Sequence, residues 1–124
     1  MRYINMVLAL VMVLFAFVQL NDPDAILWFF IYLVPAILAA IAAFRLPVLA
    51  TRGGTASLGA LTALGLLGVI YYWPTTPGFW HREIWWETET AREGMGMMIA
   101  ALVMSFVLYT AWSARRRVSM AERD

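Results

Sequence analysis

Charged and polar side chains fall in short islands separated by long apolar runs. The runs cover about Tyr3–Leu20, Ala25–Phe44, Thr55–Trp73 and Gly94–Trp112, and none holds a charged residue between its ends. Each approximates the ~20 residues that cross the hydrocarbon core of a bilayer at ~1.5 Å per residue. A helix packed on a soluble core would show one polar face, and these runs show none. The pattern predicts an all-α chain, a four-helix transmembrane bundle forming a single integral membrane domain over residues 1–124. The first run is too long for a signal-peptide core and lacks a small-x-small cleavage site before Asn21, so it is expected to be retained as a helix.

The islands set the topology. Asn21-Asp22-Pro23-Asp24 is so short that the first two helices must form an antiparallel hairpin. Asp22 is placed to cap the second helix, with Pro23 at its first position and Asp24 in its first turn. Residues 45–54 and 74–93 form the other links, and residues 113–124 form a basic tail. Thr55, Gly59 and Ala63 repeat every four residues, as do Gly96 with Ala100, Ala36 with Ala40, and Ala39 with Ala43. Such small-residue stripes let helices approach closely in lipid. Pro35 is expected to bend the second helix. Tyr71, Tyr72, Trp73, Trp80, Trp85 and Trp86 suit one membrane interface and Trp112 the other.

Charge adds an orientation. All nine basic residues are Arg. Arg2, Arg45, Arg52, Arg115, Arg116, Arg117 and Arg123 fall on one side, and only Arg82 and Arg92 on the other. The positive-inside rule then puts both termini in the cytoplasm, an arrangement suited to the bacterial cytoplasmic (inner) membrane. The opposite side carries Asp22, Asp24, Glu83, Glu87, Glu89 and Glu93. The chain has no Cys, which removes disulfides, thiolate metal sites and Cys nucleophiles together.

Candidate chemistry is confined to two polar strings on the acidic side. One is Gln19, Asn21, Asp22 and Asp24. The other is Glu89, Arg92 and Glu93, which with Gly96 follow i, i+3, i+4, i+7 and so share a helix face with Ala100. That face is lined by small residues and should turn into the bundle, which places the charges at its mouth. Glu89 and Glu93 repel mildly at a spacing of four. Arg92 is placed to neutralise one of them, and a cation or the N–H groups of a helix start the other. On this reading, Arg92→Ala weakens the packing of the fourth helix on the hairpin, because carboxylates lose a partner.

The run Gln19-Leu20-Asn21-Asp22-Pro23-Asp24-Ala25, the later Tyr32 and Pro35-Ala36, and Glu89-x-x-Arg92-Glu93-x-x-Gly96 resemble the transmembrane protein 220 family. The resemblance covers roughly two thirds of the chain. The Trp-rich stretch from Phe79 to Trp86 and the Arg tail stand outside it. It implies a small multi-pass membrane protein and carries over no activity, substrate or cofactor.

Bland readings compete with functional ones. Asp22-Pro23-Asp24 describes an ordinary helix start, and Glu89, Arg92 and Glu93 describe an ion-pair latch. His81 is the only His. It cannot build a di-metal carboxylate site or a typical Zn site alone, and axial ligation of a haem or chlorin is the one cofactor role open to it. Met95, Met97 and Met98 spread around a helix and read as packing rather than as a copper site. The Arg115-Arg116-Arg117 run reads as a topology anchor on anionic headgroups.

Three functions follow in order. The first is a non-enzymatic accessory subunit or ligand-binding protein with an acidic cluster at the outer face. The second is an outer-leaflet enzyme assisted by a hard cation such as Mg²⁺ or Ca²⁺, which carboxylate oxygens favour over Zn²⁺. An oligomeric transporter or channel ranks last, because no span carries a midspan charge. No complete catalytic set is present. Expected partners are the lipid bilayer, and beyond it other membrane proteins or a second copy of the chain; nucleic acid is not among them.

Overall fold

The structure is a computed structural model and describes all residues, 1–124. Helices run over Arg2–Val18 (α1), Ala25–Phe44 (α2), Leu46–Leu49 (α3), Arg52–Tyr71 (α4), Arg82–Glu87 (α5) and Glu89–Ala121 (α6), with no strand. Four of them, α1 with its continuation to Asn21, α2, α4 and α6, are long and apolar enough to cross a membrane. Large apolar side chains such as Leu14, Phe17, Ile26, Leu67, Ile70 and Leu102 are exposed, as expected of faces solvated by lipid.

Interhelix contacts fix an up-and-down order with both termini at one end. Buried Asn5 near the start of α1 donates from Nδ2 to Thr110 Oγ1 on α6. Arg2 lies over the Phe44 ring at the end of α2. Arg115 of α6 donates to Thr55 Oγ1 in the first turn of α4. Thr51 caps α4, its hydroxyl accepting from the Gly54 N–H at 2.9 Å, which satisfies one free donor of that helix start.

Helix α6 is the hub. Helix α4 packs on it from one side and α2 from another, whereas α1 packs chiefly on α2 and only lightly on α6. The contacts depend on small residues. A Cβ at Gly94 would come within 2.4 Å of Pro74 Cγ and 2.5 Å of the Tyr72 carbonyl oxygen, and one at Gly96 would overlap the Tyr32 hydroxyl. Ala36, Ala39 and Ala43 of α2 and Ala100 of α6 are buried as the stripes predicted.

Three expectations need correction. Helix α4 packs through Thr55 but not through Gly59 and Ala63: a Cβ at Gly59 would meet nothing within 4 Å and Ala63 is exposed. Its buried positions are Thr55, Leu58 and Thr62, because the longer Leu58 fills the space beside α6 that a glycine would leave open. Asp22 does not cap α2. The chain makes a 3-10 turn over Gln19–Asn21, Asp22 is extended, and Asp24 takes the cap position without a side-chain bond. Helix α6 is longer than its apolar run, starting at Glu89 and continuing through residues 113–121 of the basic tail. Glu, Ala and Arg are good helix formers, so the helix persists beyond the stretch 94–112 that crosses the hydrocarbon. At 33 residues it spans about 50 Å, against ~30 Å of hydrocarbon. Pro35 lies inside α2, which stays helical on both sides of it.

These contacts separate two glycines. Gly94→Ala is expected to lower stability by about 1–3 kcal/mol, since Pro74 and a backbone carbonyl cannot yield to the new methyl. Gly59→Ala is expected to be neutral or stabilising by up to about 1 kcal/mol. Thermal unfolding of both variants in the same mild detergent checks the contrast.

Candidate functional site

The site grows out of the α2–α6 crossing. Asp24, Trp28 and Tyr32 are spaced by four and share a face of α2. Trp28 is 3% and Tyr32 5% exposed. The Tyr32 ring sits against Gly96, edge-on to Phe15 of α1 at 5.7 Å and 6.0 Å from Trp28. Trp28 in turn meets Tyr72 edge-on at 5.2 Å. This aromatic stack holds the ends of α1, α2, α4 and α6 opposite the chain termini in register.

Two turns before Tyr32 lies Asp24, and one and two turns before Gly96 lie Glu93 and Glu89. The crossing therefore carries the three carboxylates to one place, where an oxygen from each lies within 4.8 Å of the others. Around them opens a cavity of about 370 Å³ lined by Val18, Gln19, Asn21, Asp22, Asp24, Trp28, Tyr32, Trp86, Glu89, Arg92 and Glu93. All seven polar residues singled out from the sequence line it. Asn21, Asp22, Asp24, Glu89 and Arg92 are exposed, and Gln19 and Glu93 half-buried.

The electrostatics are one-sided: four carboxylates face the cavity against one guanidinium. Arg92 does not sit between the glutamates as the spacing suggested. Its Nη1 donates to the Trp86 carbonyl at 2.5 Å, so it ties α5 to the start of α6. Arg92→Ala is then expected to release α5 rather than to unseat α6 from the hairpin. Glu93 precedes the membrane-crossing stretch. Burial pushes its carboxyl above the ordinary value, with Glu89 and Asp24 adding to the rise and the Trp28 indole N–H and Arg92 opposing it. Tyr72, just beyond α4, is raised by burial first and then by Glu93, Tyr71 and Asp24. Glu89 lies in the first turn of α6, where the helix dipole favours a carboxylate.

Trp28 and Trp86 are cavity residues that hydropathy alone assigned to packing or to the interface. The four-residue spacing Asp24-Trp28-Tyr32 was the available signal for Trp28; Trp86 carried none. Tyr32 lines the cavity, with its hydroxyl packed against Gly96. Asp24, Glu89 and Glu93 are the residues able to hold a cation, and the remaining candidates lie elsewhere. His81 is exposed beside the Trp80 ring, at 5.5 Å between centroids. Its neighbour Gly78 takes the left-handed turn conformation, φ +70°, which favours glycine. Met97 is buried against Gly68, while Met95 and Met98 are half-buried.

The model of the family described as Transmembrane family 220, helix, matches residues 11–109, and the chain belongs to that family. The matched span takes in both polar strings and also the Trp-rich stretch 79–86, which the sequence resemblance had left out; the Arg tail lies beyond it. No curated protein and no solved structure matches the chain.

The Glu93 carboxyl gives a pH signature. Its folded value is raised, so the folded state holds this proton more tightly than the unfolded one. The resulting stability is fully present below the ordinary carboxyl value and is lost as pH rises through the raised one. Melting in detergent is expected to occur at higher temperature near pH 4.5 than at pH 7, with Glu93→Gln removing part of that slope. A variant whose pH profile matches the parent's would contradict it.

Proposed function

We propose that this member of transmembrane family 220 is a non-enzymatic protein that holds a cationic ligand at the mouth of its bundle, acting as a ligand-binding protein or accessory subunit. One observation carries the reading: polar side chains from the first hairpin and from the start of α6 line a single cavity with four carboxylates and one guanidinium. Such an excess raises the local concentration of cations and stabilises a bound one.

The aromatic lining supports an organic cation. Trp28, Tyr32 and Trp86 border the cavity, and ring faces attract an ammonium once water is displaced.

A second reading, a metal-assisted enzyme, draws on the trio Asp24, Glu89 and Glu93. Oxygen donors favour Mg²⁺ or Ca²⁺. The trio offers fewer ligands than the six to eight that Ca²⁺ takes, so waters or substrate would complete the shell.

The Arg side chains at the end holding both termini support a cytoplasmic placement of that end in a bacterial inner membrane. The cavity then faces outward.

Titration of the purified protein with methylammonium and with Ca²⁺, followed by Trp fluorescence, tests the first reading. Saturable methylammonium binding that Glu93→Gln weakens at least about tenfold is expected, a loss worth ~1.4 kcal/mol. Absence of saturation with either cation would contradict both readings. Saturation by Ca²⁺ alone, with metal retained through purification, would favour the second.

A further inference from the structure

The cavity at the mouth does not end at the charged residues. A second space of about 390 Å³ is lined by Phe15, Trp85, Met95, Gly96 and Ile99. It shares Val18, Gln19, Tyr32, Trp86 and Arg92 with the first, so the two lie side by side. The shared residues form a seam, polar on one side and apolar on the other.

The groove has a direction. From Arg92 to Ile99 the α6 axis advances seven residues, about 10 Å toward the membrane centre. Phe15 lies on α1 one turn deeper than Gln19. Helix α1 packs only lightly on α6, and Phe15 and Ile99, one from each helix, line the space between them. Its lining is apolar apart from the seam, as a hydrocarbon chain requires.

We propose that mouth and groove together seat one phospholipid whose headgroup carries a primary ammonium. This rests on the cation-binding reading above and names its ligand class. The acyl chain lies in the groove along Phe15, Met95 and Ile99. The phosphate sits at the seam on Arg92, and the ammonium lies among Asp24, Glu89 and Glu93.

Three features fit this occupant. The order of charge along the joined space, apolar groove, then guanidinium, then carboxylates, follows the order of chain, phosphate and ammonium in such a lipid. The guanidinium gives one of its five N–H donors to Trp86 and keeps the rest for phosphate oxygens. A primary ammonium has three N–H donors, and three carboxylates face one another within 4.8 Å. A quaternary choline headgroup has no such donors, and a glycerol headgroup brings no cation to an acidic mouth. A bare metal ion would leave the groove unexplained. The Tyr32 ring, 5% exposed, borders both spaces.

Native mass spectrometry of the protein in nanodiscs of choline phospholipid, doped equally with ethanolamine and glycerol phospholipids, tests the proposal. Retention of the ethanolamine lipid is expected to exceed either other class by about tenfold. The double variant Asp24→Asn, Glu93→Gln is expected to keep a lipid but to lose the headgroup preference. Ile99→Trp, which fills the groove, is expected to lose all retained lipid while methylammonium still quenches or enhances Trp fluorescence. Met95→Trp, checked for parental helicity and elution volume, serves as the second groove variant. Soluble glycerophosphoethanolamine, which has the headgroup without chains, is expected to bind more weakly than the lipid. Equal binding of that soluble probe, or equal retention of all three lipids, would overturn the proposal. Methylammonium binding without selective lipid retention would overturn it and leave the cation reading standing; loss of both would overturn both.

Discussion

The contact between the Tyr32 ring and Gly96 sets the geometry of everything at the end of this protein opposite its termini. Any side chain at position 96 would occupy the space of the Tyr32 hydroxyl. With hydrogen there, α2 approaches α6 closely enough for the ring to be buried. In lipid no hydrophobic force drives helices together, so close packing of this kind, along with hydrogen bonds, does that work. Helical periodicity then propagates the register outward. Two turns along α2 and one to two turns along α6, three carboxylates arrive within reach of one another. The repulsion among them is tolerated because the same crossing is held by buried Met97, Ala100, Val103 and Met104 deeper in the bundle.

The opposite end is built differently. There a buried Asn5 amide bonds Thr110 and the Met1 carbonyl, Arg2 and Arg116 lie over Phe44 and Trp112, and Arg115 reaches Thr55. These interactions pair cations with rings and hydroxyls, so positive charge is retained at that end. The molecule is thus polarised along the membrane normal, with guanidinium groups at one face and carboxylates at the other.

The spans were legible because a lipid-facing helix must be apolar all round, and that leaves an unmistakable run. The site residues were legible because polar side chains are sparse in such a chain, and the spacing of Glu89, Arg92, Glu93 and Gly96 marks one face. Other features had no comparable signature. The Thr55-Gly59-Ala63 stripe looks like a packing seam, yet small residues face lipid as readily, and Leu58 makes the contact instead. Arg92 pairs with a backbone carbonyl, an acceptor present at every residue and so invisible to a search for opposite charges. The ends of α6 extend past its apolar run because helix propensity does not stop where hydrocarbon does. Asp22 yields the cap position to Asp24 because the first helix ends in a 3-10 turn over Gln19–Asn21 and the chain is extended at Asp22.

The central claim is that residues from two distant parts of the chain converge to make one acidic mouth. The absence of native cysteine makes a direct distance test available. Asp24→Cys combined with Glu93→Cys, treated in native membranes with a short bis-thiosulfonate, should cross-link within one chain, read by mass as the addition of a single spacer that joins both sulfurs with no free thiol left. Asp24→Cys combined with Glu122→Cys, at the opposite end of the bundle, should not. Equal reaction of the two pairs, or none in the first, would contradict the account.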